Sequence, residues 1–144
     1  MSAASNYTEN KVLDHVLGTT AFTQPSTVYL ALFTNTSGNA ATNLEAGTIT
    51  DEVSTSGSAY GRQSIAFGSA SGGSASNSAT VTFTAATSTW GSITHVAIMD
   101  ASTSVNTLVA SKRPPSPTSN NRKSAFILEK IKNAKAVVIS KKVI

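Results

Sequence analysis

Apolar residues recur in two periods along this chain. At positions 6–17 the period is helical. Val12 and Val16, and Leu13 and Leu17, form i,i+4 pairs on one face, with Glu9, Lys11 and Asp14 mostly off it. Asn6 has the chemistry of an N-cap, and Glu9 stands three residues on, at capping-box spacing. Gly18 suits the residue just past the helix end. A helix this short does not persist alone, so the Val/Leu stripe is expected to dock.

Beyond Pro25 the period changes to two. Val28, Leu30 and Leu32 share one face of a run whose other face carries Tyr29, Ala31 and Phe33. A strand apolar on both faces is expected to be central and covered on both sides, with the N-terminal helix as one cover. Positions 35–47 read as a polar loop, and 48–53 as a weak strand. Arg62 to Phe67 alternates, with Ile65 and Phe67 expected inward and Arg62 and Ser64 outward. A Gly/Ser/Ala-rich loop covers 68–78. Ala79, Val81 and Phe83 alternate with threonines, as a half-buried strand does. Apolar residues on both faces recur over 93–99, and a further strand starts at Thr107. Short strands joined by polar turns, with no βαβ alternation, predict an all-β fold. The expected form is an antiparallel β-sandwich or jelly-roll-like domain carrying one short N-terminal α-helix.

Charge divides the chain at Lys112. Residues 1–111 hold two basic side chains, Lys11 and Arg62, against six acidic ones, a net of −4. Residues 112–144 hold nine basic and one acidic, Glu129, a net of +8. The sequence pI of about 9.6 therefore reflects the tail. Three of the four prolines lie at 114–117, which predicts an extended linker over 112–123. A short amphipathic helix is expected over 124–135, and β-branched content suits a strand at 136–140. The expected organisation is a 1–111 domain followed by a Pro-containing basic linker and tail at 112–144.

The chemistry-bearing residues are few. With no cysteine, thiolate metal sites and disulfides are excluded. Two histidines and seven acids give no metal-ligand spacing. His15 is expected on the helix flank, and His95 as a packed or rim residue of its strand. No Gly-x-Ser-x-Gly elbow, P-loop, dinucleotide fingerprint or carboxylate pair is present. The expectation is no catalytic residue, no cofactor and no metal. Tyr29 and Trp90 read as core aromatics. Tyr60, beside Gly61 and Arg62, reads as the surface-facing one, so Tyr60, Arg62 and Trp90 are the candidate interaction residues. The N-terminus lacks the basic and apolar regions of a secretory signal, and no stretch approaches the roughly 20 apolar residues of a membrane span.

Four stretches carry a resemblance. They are Ser5 to Asp14 continuing to Pro25, then Thr27-Val-Tyr-Leu-Ala-Leu-Phe-Thr34, then Glu52-Val-Ser54 with Gly57-Ser-Ala-Tyr-Gly-Arg62, and lastly Ala79 to Phe83 followed by Trp90 to Asp100. In that order and spacing they resemble the small virion structural proteins of tailed bacteriophages, the tail-fibre or tail-associated proteins. The resemblance spans about residues 5–109. The family's usual closing strands are replaced by the Lys-, Arg- and Pro-bearing segment from about residue 110. A frameshifted or recombined gene end produces such a change, and the tail is expected to be of that kind or partly disordered.

The resemblance implies a non-enzymatic structural component of a virion, tail fibre or capsid surface, made in the bacterial host cytoplasm. It implies docking to other virion proteins and a homo-oligomer, with loops 35–47 and 68–78 and the Tyr60–Arg62 turn as contact surfaces. Two alternatives stand beside it. One is a receptor- or glycan-binding tip of the virion. The other is a nucleic-acid-binding protein acting through the basic residues of 112–142, which would lose affinity steeply with salt.

Overall fold

The computed structural model describes residues 2–103 and 106–112, with the strand residues 127–128 and 134–135. The elements in chain order are β1 (Ser2–Ala4), α1 (Asn6–Val16), β2 (Val28–Phe33), α2 (Ala40–Glu45), β3 (Gln63–Ile65), β4 (Ser74–Ala75), β5 (Val81–Thr82), β6 (His95–Met99), β7 (Thr107–Lys112), β8 (Ile127–Leu128) and β9 (Ala134–Lys135). The all-β expectation holds. A five-stranded sheet runs β1-β7-β6-β2-β3, and every pairing in it is antiparallel. Two short ladders, β4 with β9 and β5 with β8, complete the pairing. Strand residues beyond Lys112 thus pair with strands before it.

The double-faced runs form the sheet centre. In register, Leu30 stands opposite Ile98, Leu32 opposite Val96, Ala31 opposite Ala97 and Phe33 opposite His95. Leu30, Leu32, Val96 and Ile98 join Val53, Tyr60, Ile65, Val81 and Phe83 in the larger cluster on one face. Ala31, Ala97, Phe33 and Met99 join Leu44 on the other. Each large side chain buried here contributes about 1.5–3 kcal/mol, so these two clusters hold the sheet.

The second cover differs from the one expected. Helix α2, inside what reads as a polar loop, buries Ala40 and Leu44 against the thinner face. Ala31, Ala97 and Ala110 stand in register across β2, β6 and β7. Their small side chains let Leu44 approach the sheet. Six residues with no Pro and two apolar positions four apart suffice for one docked turn and a half.

Helix α1 forms where its pattern predicts, but Ser5 caps it rather than Asn6. Ser5 Oγ accepts from Thr8 N at 3.3 Å and donates to Thr107 O. Ser5 N donates to Leu108 O at 3.2 Å. The helix is pinned to β7 at this end, yet it buries no residue. Leu13, Val16 and Leu17 are 40, 68 and 72% exposed. Among the described residues, neither core cluster takes in the stripe, contrary to the docking expected of it. Gly18, at φ 76°, ends the helix as expected.

Two further expectations change. Positions 48–53 form no strand, only a bridge from Phe33 to Glu52. Within the helix expected over 124–135, Ile127–Leu128 and Ala134–Lys135 are strands instead. There β5 and β4 offer backbone partners that compete with helix formation. The linker expected at 112–123 begins in β7 at Lys112 and otherwise lies outside the described residues, as does the strand expected at 136–140.

Candidate functional site

Three features bring polar and aromatic chemistry together around residues 52–62. Strand β3 ends its pairing with β2 at Leu30 and Gln63, so the edge of β2 beyond that point needs other partners. Tyr60 supplies one, its hydroxyl accepting from Leu32 N at 2.9 Å. Val53 N donates to Leu32 O at 3.0 Å, and Thr34 N to Asp51 O at 2.9 Å. A phenol and an irregular segment thus continue the ladder where the strand stops.

The Tyr60 hydroxyl also donates to Glu52 Oε1 at 3.0 Å. Arg62 grips the same carboxylate with two bonds, Nε to Oε1 and Nη2 to Oε2, each 2.7 Å. Its Nη1 donates to Ala101 O at 3.0 Å, beyond the end of β6. Side-chain exposure is 4% for Arg62 and 14% for Glu52. The fork geometry of guanidinium on carboxylate is the strongest arrangement open to such a pair. Burial, then the negative Glu52, pushes the Tyr60 hydroxyl well above the usual phenol range. The hydrogen bond to Glu52 pushes the Arg62 guanidinium up in turn. At neutral pH Tyr60 keeps its proton and Arg62 its charge, and both are spent on hydrogen bonds to Glu52.

Aromatic packing closes the rest. The Tyr60 ring stacks on Phe83 with centroids 6.1 Å apart, and Trp90 meets both edge-on at 5.6 and 6.2 Å. Trp90 Nε1 donates to Ser58 O at 2.8 Å. Ala59 adopts φ 55°, a left-handed conformation costly for a residue with a Cβ. It stands immediately before Tyr60, in the turn that leads the ring inward.

Tyr60 is therefore only 5% exposed, and its surface-facing reading is corrected, as is the outward reading of Arg62, whose guanidinium is held on Glu52 and Ala101 O. The hydroxyl is drawn in because it completes the β2 edge and caps Glu52. Tyr60, Arg62 and Trp90 do come together, around Glu52 and Phe83, and their polar atoms are engaged with the protein itself. Trp90 is half-buried and packs on the larger core cluster, as expected of a core aromatic. Glu52 is the site residue that the sequence reading misses, although the acid of the Glu52…Tyr60-Gly-Arg62 motif is its signal.

A second polar cluster organises loop 35–47. Asp51 accepts from Ser37 N at 2.9 Å and from the Ser37 hydroxyl. These bonds hold its carboxyl below the usual carboxylate range, with His95 adding a smaller electrostatic effect. Asn35 Oδ1 accepts from Ala40 N at 3.0 Å at the start of α2. His95 is buried and lies beside Thr94 Oγ1, 2.9 Å from its Nδ1. His15, exposed on the α1 flank, accepts from Phe22 N through Nδ1 at 3.2 Å. Among the described residues no three His, Asp or Glu side chains gather as a metal site, and no helix is long and apolar enough to cross a membrane.

No curated protein matches the chain. The sequence model of one family matches residues 3–130, a span that takes in the Glu52…Arg62 motif, both core strands and the first part of the basic segment. Because that match covers most of the chain, the protein belongs to the phage family described as podophage GP4 fiber I protein gp80.

Proposed function

We propose that the protein is a non-enzymatic structural subunit of a phage fibre. It acts by self-assembly and by docking on other virion proteins. The family match over residues 3–130 carries this reading. The site geometry supports it, because the most reactive-looking constellation, Glu52 with Tyr60 and Arg62, is closed on itself as a structural clamp. A rigid sheet with polar loops suits a part that is held in place by many neighbours, each contact adding to the others. Mass spectrometry and antibody-labelled electron microscopy of purified particles test the proposal. The chain is expected in the particle at a fixed copy number, with label on a fibre. A chain found only in the host lysate and never in the particle defeats the reading.

A further inference from the structure

We propose that the outer edge of residues 74–82 is a strand-acceptor site filled by the chain's own basic segment, with Ile127–Leu128 and Ala134–Lys135 acting as two parts of one closing strand. The inference stands apart from the virion reading and concerns what the segment beyond Lys112 does in the fold.

The acceptor edge belongs to a hairpin. Ser71 N donates to Ser74 O at 2.8 Å and Ser74 N to Ser71 O at 3.1 Å, around Gly72 and Gly73. Their φ values of 57° and 74° suit a two-residue turn of this kind. Further down, Gly68 N donates to Ser76 O at 3.0 Å and Ser78 N to Ala66 O at 2.9 Å. Ser74, Ser76 and Ser78 thus turn their backbone groups toward 66–71. The alternate residues Ala75 and Asn77 turn theirs to the opposite edge. A strand edge of this kind needs its own partners, or it recruits other chains.

The basic segment meets that edge twice, in one register. Ser74 stands opposite Lys135 and Ala75 opposite Ala134; Val81 stands opposite Leu128 and Thr82 opposite Ile127. Residues 76–80 lie between the ladders on one side and 129–133 on the other, five on each. Two unrelated contacts have no reason to keep this count, whereas one strand pair must. A slip of one residue would turn every side chain to the other face. In the register observed, Leu128 stands opposite buried Val81, and Ala134 opposite Ala75.

Reach selects the chain's own segment as the occupant. Fourteen residues, 113–126, connect β7 to β8, and that many span up to roughly 50 Å when extended. A tether of this length holds the segment at an effective concentration in the millimolar range, which a second copy in dilute solution does not match. The family match runs through residue 130 and so takes in β8. The segment's sequence also carries Lys130, Lys132 and Lys135, the residue type that keeps an outer strand from pairing onward.

The chain has no cysteine, so two introduced thiols can pair only with each other. The full chain carrying Thr82→Cys with Ile127→Cys, and separately Ser74→Cys with Lys135→Cys, should close intrachain disulfides. Each should close at least about tenfold faster than the slipped pairs Thr82→Cys with Leu128→Cys and Ser74→Cys with Ala134→Cys, because only facing positions lie within disulfide reach. Equal rates overturn the register. Disulfides formed chiefly between chains overturn the own-chain occupant. Hydrogen exchange reads whether the two ladders act as one. Leu128→Pro removes an amide from the second ladder and should speed exchange at both Val81 and Ala75 by about tenfold or more, with Leu30 and Ile98 unchanged. Faster exchange at Val81 alone overturns the single strand, and no change at either residue overturns the acceptor site.

Discussion

The clamp around Glu52 and helix α1 turn their side chains in opposite directions. In the clamp, groups that water would solvate well are satisfied internally: the carboxylate by Arg62 and Tyr60, the Leu32 amide by a phenol, the Trp90 indole by Ser58 O. On α1, Leu13, Val16 and Leu17, which water solvates poorly, face outward, while the capped end is bonded to β7. The first region is finished within one chain. The second has an apolar surface left over. In one molecule the burial of polar groups marks where the fold is fixed, and apolar groups remain exposed where it is not.

The comparison is easiest to break at the clamp. Arg62→Ala strands Glu52 without its counter-charge and is expected to cost about 3–5 kcal/mol of unfolding free energy, read by denaturant titration. A loss under about 1 kcal/mol would show the pair to be a surface ornament. Tyr60→Phe keeps the ring on Phe83 and removes one hydroxyl, leaving the Leu32 amide without its partner. The expected loss is about 1–3 kcal/mol in the same titration.

Asp51 sharpens the comparison through pH. Its folded carboxyl titrates below the ordinary 3.8, so its bonds to Ser37 contribute fully above that value. As pH falls from 3.8 through the lower folded value, that contribution is lost. Thermal melts between pH 6 and about 2 should show the parent losing stability in this acid window more steeply than Asp51→Asn. Parallel curves would mean that loop 35–47 does not depend on the ionised group. The smallest effect belongs to α1. Leu17→Ala should change the stability of the isolated chain by less than about 0.5 kcal/mol, since little is uncovered that was not already wet. A loss of several kcal/mol would mean that the stripe is packed after all.

What could be read from the sequence follows the same physics. The sheet centre was legible because Leu30, Leu32, Val96 and Ile98 repeat with the period of the pleat, and Ala31, Phe33, Ala97 and Met99 repeat between them. Helix α1 was legible as a helix, since its stripe obeys the 3.6 period. Its surroundings were not, because the stripe says that an apolar surface exists and not whose surface will cover it. Helix α2 was hidden by its polar setting. Only Ala40 and Leu44 mark it, and their value comes from the alanines they meet across three strands. Tyr60 was misplaced because its neighbours Gly61 and Arg62 look like an open turn. The need that draws it inward, a ladder ending at Leu30, belongs to residues some thirty positions away. The Glu52…Arg62 motif is visible in the sequence, and the structure supplies its meaning, a salt bridge tying the irregular segment to the residue just before β3.

The pinning of the first strand to the last strand of the main sheet bears on how this protein is born. Ser2–Ala4 pairs with residues 109–111, and Ser5 bonds to Thr107, 102 positions away. A nascent chain leaving the ribosome has its N-terminal segment in hand long before the strand that receives it. Contacts of such long sequence separation slow folding. Until synthesis passes Lys112, β1 lacks its partner strand and the Ser5 cap of α1 lacks its anchor on β7, and the apolar runs of β2 and β6 are open to other nascent copies. Folding would then benefit from slow translation or a chaperone early on, and from low expression temperature when the chain is produced alone.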